Sequence, residues 1–252
     1  MEKELGLELN VDLRDYQSDM LQKIRDMKAV VLANPSGSGK TRLCGTTGED
    51  EYTIIISAER GLMSLRDHDI DAIEVTSIQQ FREARDYVQR AEKYRWVILD
   101  SVSEVAEVIL EEEMEQNRDG RAAYGEMADR VLSIIRDFRN LSCNVVMTAK
   151  QGREDDQGTK LFVPQLPGRK LTQNVSYMFD EVFAIRVERN SDGTVESRVQ
   201  TQRDRQYECK DRSGALEFFE EPNLEAIYDK IVEEAGIEEA KPASAPAPSR
   251  DE

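Results

Sequence analysis

Short apolar runs recur along the chain, and segments with the spacing of amphipathic helices separate them. The runs are rich in Val, Ile and Leu, as buried strands are, and span residues 28–33, 52–58, 72–75, 96–101 and 143–149. Two helices are predicted between them, one opening at Ser77 and running to about Tyr94, the other over 122–140. Short strands that alternate with helices predict a parallel sheet covered on both faces.

The pattern changes after the fifth run. Residues 151–174 are polar and contain several Gly and Pro, which predicts a long loop. Two runs typical of strands, 181–188 and 194–202, flank an Asn-Ser-Asp-Gly turn and predict an antiparallel hairpin. Asn223 is predicted to cap a last helix over 224–234, and the end of the chain is rich in Pro, Ala and Ser.

The amino-acid composition indicates how the chain is divided into segments and which binding partners are compatible with its charge. Of the 252 residues 34% are charged, and the formal net charge is -17. This balance argues against a surface that binds polyanions everywhere, but it permits a local basic groove. The acidic run 111–116 is interpreted as a solvated face. We predict an N-terminal helical extension over 1–27, one domain over 28–235 and a disordered tail over 236–252.

Other features predict a cytoplasmic protein without zinc. The chain has no apolar run of about 18 residues, and its N-terminus does not have the pattern of a signal peptide. Cys44, Cys143 and Cys209 are scattered, which predicts reduced core cysteines. His68 has no Cys or His cluster around it, so no zinc site is expected.

A phosphate-binding loop is predicted after the first strand. The sequence Asn-Pro-Ser-Gly-Ser-Gly-Lys-Thr follows the motif G-x-x-x-x-G-K-[ST] except at its first position, where Asn34 stands. Asn tolerates a left-handed backbone better than most residues, so the departure weakens the match without removing it. The expected nucleotide contacts are Asn34, Pro35, Ser36, Gly37, Ser38, Gly39, Lys40, Thr41 and Arg42.

Two acids complete the predicted site. Asp100 ends the fourth apolar run and is expected to hold Mg²⁺ together with the Thr41 hydroxyl. Glu59 lies just beyond the second run and is expected to activate the attacking water, although a surface glutamate in a loop would look the same. The cofactors predicted are therefore ATP and Mg²⁺, and Lys40 would neutralise the phosphates.

The N-terminal segment resembles the start of superfamily-two helicases. Tyr16 and Gln17 stand where those proteins have a Tyr-Gln pair before their phosphate loop, so the resemblance implies that Gln17 contacts adenine. Those helicases carry an Asp-Glu-x-Asp/His box and two such domains. Here Asp100 is followed by Ser101, and there is room for one domain, so the helicase interpretation is set aside.

Residues 28–222 resemble the phage-encoded RecA-like ATPases called AAA-domain proteins, which include the Sak-type single-strand annealing recombinases. The resemblance lies in "ISAERGLMSLRD", "VILDSVSEV", "VPQLPGRKL" and "TQRDRQYECKDRSGAL". It implies an α/β fold with a RecA-like P-loop NTPase core, a mostly parallel sheet flanked by helices and a C-terminal antiparallel hairpin. It also implies ATP hydrolysis, a homo-oligomeric ring or filament, and action on single-stranded DNA beside a single-strand-binding protein.

The same resemblance assigns further roles. Lys150, or Gln151 next to it, stands where a γ-phosphate sensor is expected. Lys210 and Arg212 resemble a Lys-x-Arg pair that reaches the ATP of a neighbouring subunit, although a solvated basic turn is the simpler alternative.

A path for DNA is expected along loops at one end of the sheet, where cations and one aromatic ring are available. The residues predicted to contact DNA are Arg118, Arg121, Arg153, Lys160, Phe162, Arg169 and Lys170. Two other function classes stay open: a nucleotide-dependent scaffold or switch that binds a protein partner, and a small DNA motor or helicase loader.

Overall fold

The computed structural model describes residues 29–59, 61–156, 158–189 and 192–234. The predicted N-terminal extension, which includes Gln17, and the predicted tail over 236–252 lie outside these residues.

A sheet of nine strands forms the centre of the described chain. The strands are β1 Val30–Ala33, β2 Thr53–Ser57, β3 Asp71–Glu74, β4 Trp96–Asp100, β5 Asn144–Asp156, β6 Thr159–Gln165, β7 Glu181–Arg189, β8 Val195–Gln200 and β9 Phe219–Glu220. Their order in the sheet is β3-β2-β4-β5-β1-β7-β8-β9, and β6 pairs with β5 outside this path. The pairs among β1 to β5 and β7 are parallel, while β5–β6, β7–β8 and β8–β9 are antiparallel.

In the part of the chain that the structure describes, six α-helices cover the two faces of the sheet. They are α1 Lys40–Cys44, α2 Ile78–Ala91, α3 Val102–Gln116, α4 Gly120–Arg139, α5 Arg169–Val175 and α6 Leu224–Glu234. Apolar residues of α2, α3, α4 and α5 join one core cluster, and those of α1 and α6 join the other. Neighbouring residues of β4 alternate between the clusters, Val97 in the first and Ile98 in the second. The predicted α/β fold, that of P-loop NTPases, is therefore confirmed.

Several predicted elements are confirmed in detail. The Ser77 hydroxyl accepts a hydrogen bond from the Gln80 amide and starts α2, which ends where Glu92 takes a φ of 50°. In α4 the buried stripe includes Met127, Val131 and Phe138, as its periodicity predicts. The hairpin of β7 and β8 is present, and the Asn223 carboxamide accepts from the Ala226 amide at the start of α6. All three cysteines are buried, and none of them forms a disulfide.

The prediction of a long loop over 151–174 is wrong. β5 runs on to Asp156, β6 returns beside it, and α5 begins at Arg169. Gly158, with a φ of 84°, makes the tight turn of this hairpin rather than marking a long loop. In β6 the Phe162 amide donates away from β5, to the Gln206 carbonyl. The nitrogen of Pro164, two residues later, therefore also faces away from β5, and its missing amide proton leaves no bond of the β5–β6 pair unmade.

The acidic run 111–116 is only in part a solvated face. It forms the end of α3, an element that the sequence did not predict, and Glu111 and Glu115 are exposed there. Glu113 is buried and accepts a hydrogen bond from the Arg130 guanidinium on α4. This ion pair ties the two helices together. Within the described ranges no helix is both long and apolar enough to cross a bilayer.

Asn34 joins the end of β1 to β7 through its side chain. Its carboxamide donates to the Ile185 carbonyl and accepts from the Ile185 amide, both at 2.6 Å, and the residue is 2% exposed. Asn34 does not have a positive φ, so the left-handed backbone considered for it is wrong. The side chain thus pairs with β7 beyond the last residues of the two strands that are in register, Leu32 and Phe183, and a Gly at this position of the motif could not make these bonds.

We predict that Asn34→Gly destabilises the protein although it restores the motif. The substitution leaves the buried amide and carbonyl of Ile185 without partners, which costs about 2–4 kcal/mol in the free energy of unfolding. Urea unfolding measures the effect, with Asn140→Ala at the exposed end of α4 as the control. An unchanged midpoint for Asn34→Gly would contradict the role of this contact.

Candidate nucleotide site

The chemistry predicted from the sequence gathers at the carboxyl edge of the parallel sheet. β1, β2, β4 and β5 run in the same direction, so the segments that follow them meet at this edge. The Asn34 amide donates to the Ala149 carbonyl at 3.3 Å, and the Ala58 amide donates to the Asp100 carbonyl at 2.7 Å. In open α/β sheets this edge is where ligands bind.

The loop after β1 has the backbone of a phosphate cradle. Gly37 and Gly39 have φ values of 76° and 93°, which residues with a Cβ adopt only with strain. The first intrahelical bond of α1 runs from the Leu43 amide to the Gly39 carbonyl at 2.9 Å. The amides of Lys40 and Thr41 therefore precede the bonded part of the helix and can serve an anion.

Lys40 lies over this loop and is buried. Its Nζ donates to the carbonyls of Asn34 and Pro35, at 2.9 and 3.2 Å. Burial lowers the pKa of Lys40, while the nearby carboxylates of Glu59 and Asp100 oppose that shift. The two acids therefore help to keep a buried ammonium charged at the place where phosphates would lie.

Thr41 and Asp100 meet although 59 residues separate them along the chain. The Thr41 hydroxyl donates to one carboxylate oxygen of Asp100 at 2.9 Å, and the Thr148 hydroxyl of β5 donates to the other. Asp100 is 1% exposed. A hydroxyl and a carboxylate are hard oxygen ligands, so this pair fits Mg²⁺, and Thr148 fixes the orientation of the carboxylate.

Glu59 stands beside this pair on the solvent side. Its side chain is exposed and accepts a hydrogen bond from the Ser101 hydroxyl, and its amide donates to the Asp100 carbonyl at 3.3 Å. Ser101 therefore holds an acid that can reach solvent within the same site. The sequence did not single out Ser101 or Thr148, because a hydroxyl within or next to an apolar strand has no distinctive pattern.

Of the two sensor candidates, Gln151 points to the phosphate loop and Lys150 does not. The Lys150 ammonium contacts the carboxylates of Glu104 and Glu107 on α3, at 3.2 and 2.7 Å. The Gln151 side chain donates to the carbonyl of Ala33, the last residue of β1, at 3.2 Å. Of the two, Gln151 is therefore the residue that contacts the strand leading into the phosphate loop.

Lys210 and Arg212 lie toward the opposite edge of the sheet. Lys210 forms a β-bridge with Val182 at the start of β7, and its ammonium donates to the carbonyls of Ser176 and Phe179 just before that strand. Arg212 is 68% exposed and contacts the Asp180 carboxylate at 2.7 Å. Both cations are therefore paired within their own subunit, but the Arg212 side chain lies at the surface.

Glu181 holds the turn that carries these two cations. The Glu181 carboxylate is buried and accepts from the amides of Arg212 and Ser213, each at 3.2 Å. Burial, together with the Asp211 carboxylate, raises the pKa of Glu181 to about 8, against the effect of those two amides.

Three of the cations predicted to bind DNA meet in a groove between α4 and α5. Arg121, Arg169 and Lys170 line this groove, which has a volume of about 730 Å³. Tyr124 lines it too, is 42% exposed, and was missed from the sequence. Gly168 has a φ of 86°, and a Cβ there would come within 3.2 Å of the Tyr124 ring. We call this feature the α4–α5 groove.

The other predicted DNA contacts lie elsewhere. Arg118 is exposed in the turn before α4, and Lys160 is exposed on the hairpin of β5 and β6. Phe162 is not a free ring, because Arg153 lies 4.9 Å above it and the Tyr207 ring packs against it at 4.8 Å between centroids. These partners occupy the surface that base stacking on Phe162 would use.

The strand order, the phosphate loop and the acids that follow the strands define a P-loop nucleotide-binding protein. A family model described as an AAA domain matches residues 26–213, most of the chain. The chain therefore belongs to this AAA-domain family. A search of curated proteins found no match.

We predict that Glu181 makes stability fall as the pH rises. The folded state holds a proton on Glu181 up to a pH of about 8, whereas the unfolded chain releases it near 4.5. Between these values the folded state binds more protons, so the free energy of unfolding decreases with rising pH. Glu181→Gln should remove on the order of 1–3 kcal/mol of that decrease between about pH 5 and 8.

Urea unfolding at several pH values measures this difference. Glu126→Gln, at an exposed position of α4, is the matched control and should follow the parent protein. Parallel curves for the parent and Glu181→Gln would show that Glu181 titrates normally.

Proposed function

We propose that this protein is an Mg²⁺-dependent ATPase that assembles into oligomers, binds single-stranded DNA and promotes annealing or homologous recombination. Its sequence resemblance to the Sak-type recombinases suggests a role in phage DNA metabolism, beside a single-strand-binding protein. The observation that carries the ATPase part is the contact of Thr41 with Asp100 beside the buried ammonium of Lys40.

Each residue of the site has a task that fits its chemistry. The loop amides and Lys40 bind the β- and γ-phosphates, and Lys40 balances the charge that develops as the bond breaks. Thr41 and Asp100 would hold Mg²⁺, which supplies further charge neutralisation on the phosphates. Glu59, oriented by Ser101, accepts a proton from the attacking water, and its exposure gives that water access.

The position of Arg212 supports the proposed head-to-tail assembly. Arg212 stands toward the amino-terminal edge of the sheet, away from the phosphate loop of its own subunit, and its exposed side chain would have to exchange its contact with Asp180 for a phosphate. It can therefore complete a site only in a second copy of the chain, where a guanidinium would stabilise the transferring phosphoryl group. A heterologous contact of this kind builds rings or filaments.

The α4–α5 groove is the surface that best suits single-stranded DNA. Arg121, Arg169 and Lys170 can contact phosphates, and the Tyr124 ring offers a face for a base. One acid, Asp129, also lines the groove, so each subunit would bind weakly and the affinity would fall with salt. Assembly would multiply these weak contacts.

The test is the rate of ATP hydrolysis with and without single-stranded DNA. We expect DNA to stimulate turnover, and Lys40→Ala to lower the rate by at least about a hundredfold under both conditions, because the charge on the phosphates is no longer balanced. Full activity of Lys40→Ala would refute the ATPase site. Stimulation by a protein alone would favour the scaffold or switch, and unwinding of a tailed duplex would favour the motor.

Two aromatic variants locate the DNA surface in the same assay. Tyr124→Leu should weaken DNA binding about tenfold, because a stacking face is lost. Phe162→Leu should bind DNA as the parent does, because Arg153 and Tyr207 already cover that ring. The reverse result would move the DNA path to the hairpin of β5 and β6.

Mixing two inactive variants tests the role of Arg212 in trans. Arg212→Ala should bind ATP normally but lose turnover by roughly a thousandfold or more, as expected for an arginine finger. In a random mixture with Glu59→Gln, roughly a quarter of the interfaces combine an intact Glu59 with an intact Arg212, so activity should return in part. Absence of recovery in mixed assemblies would exclude a shared site.

A further inference from the structure

One wall of the α4–α5 groove is a closed segment of the chain. The Thr172 hydroxyl accepts from the Leu166 amide at 3.1 Å and donates to the Leu166 carbonyl at 2.7 Å, so the two ends of segment 166–172 are tied together. Leu166 and Thr172 are both buried. The residues between them that line the groove are Pro167, Gly168, Arg169, Lys170 and Leu171. A ligand that displaces part of this wall therefore displaces the segment as a whole.

The Ser103 hydroxyl joins this wall to the first turn of α3. Segment 166–172 continues directly from Gln165, the last residue of β6. The Ser103 hydroxyl donates to the Gln165 carbonyl at 2.6 Å and accepts from the Lys150 amide of β5 at 2.9 Å. Ser103 is 1% exposed, so water does not replace these bonds when they break. The first turn of α3 is therefore attached to both strands of the β5–β6 hairpin.

The same turn belongs to the nucleotide site. It begins directly after Asp100, and Ser101 is its N-cap. The Ser101 hydroxyl accepts from the Glu104 amide at 3.3 Å and donates to the Glu59 carboxylate. Ser103 lies two residues further along the turn. A shift of the turn therefore moves the hydroxyl that orients Glu59.

We infer that Ser103 and Thr172 are positioning residues that couple occupation of the α4–α5 groove to the nucleotide site. The inference rests on the proposed function, which puts single-stranded DNA in the groove and ATP at the phosphate loop. DNA that displaces the wall pulls on Gln165, and Ser103 passes this shift to the turn that orients Glu59. A nucleotide that repositions Glu59 acts on the groove through the same bonds, because the coupling of two binding equilibria is reciprocal.

Equilibrium binding of the full chain to a labelled oligothymidylate, with and without a slowly hydrolysed ATP analogue, tests the inference by fluorescence anisotropy. In the parent protein we expect the analogue to tighten DNA binding about tenfold, within the range of about 5–150-fold that is typical of coupled sites. In Ser103→Ala and in Thr172→Val this factor should fall below about twofold. Calorimetry should show that both variants bind the analogue alone within about twofold of the parent.

Three features of the design separate coupling from a merely structural role. Thr172→Ser keeps the hydroxyl and should retain the coupling of the parent, whereas Thr172→Val keeps the shape and loses the hydroxyl. If Ser103→Ala does not fold, this pair decides the test by itself. Ser142→Ala, at an exposed position before β5, is the control and should behave as the parent does. Lower stability reduces the amount of active protein but leaves the ratio of the two DNA affinities unchanged.

Parent-like coupling in either folded variant, Ser103→Ala or Thr172→Val, would overturn the inference. So would a loss in Thr172→Ser as large as that in Thr172→Val, or a parent protein that binds both ligands independently. Failure of the proposed function looks different. In that case the parent protein does not bind the oligonucleotide with or without the analogue, or does not bind the analogue at all, and the inference is overturned with it.

Discussion

A carboxylate that is almost fully buried must find hydrogen-bond donors inside the protein, and Asp100 is such a group. It finds Thr41 on one side and Thr148 on the other, each from a different segment of the chain. These bonds form only if β4 lies beside β5, β5 lies beside β1, and all three run in the same direction. The need to satisfy one buried acid therefore links the sheet order to the geometry of the phosphate loop.

Much of this arrangement can be predicted from the sequence. A buried parallel strand is recognised as a short apolar run, and the polar residues that follow such strands lie together at one edge of the sheet. Lys40, Thr41, Asp100 and Glu59 were found by that signal, and the structure brings all four together. The strong periodicity of α4 and the cap at Ser77 predicted two helices for equally local reasons.

The features that could not be predicted depend on contacts between residues that lie far apart along the chain. Gly158 and Pro164 suggested a loop because a tight turn and an edge strand use the same residues as irregular chain. Asn34 was interpreted through its own backbone, whereas its role depends on Ile185, 151 residues later. Arg212 lies toward the edge opposite the phosphate loop because Lys210 forms a bridge with Val182. No local sequence pattern predicts that bridge.

The tether at Asn34 also determines which part of the site has to become ordered around a ligand. Gln151 holds the carbonyl of Ala33, and Asn34 is fixed to β7, so the base of the loop is already immobile. Within the loop, the Lys40 ammonium and the Ser38 hydroxyl both donate to the Pro35 carbonyl, so this segment too is partly ordered by its own hydrogen bonds. A short loop held in this way loses less conformational entropy when it captures a triphosphate, and more of the contact energy is retained as affinity.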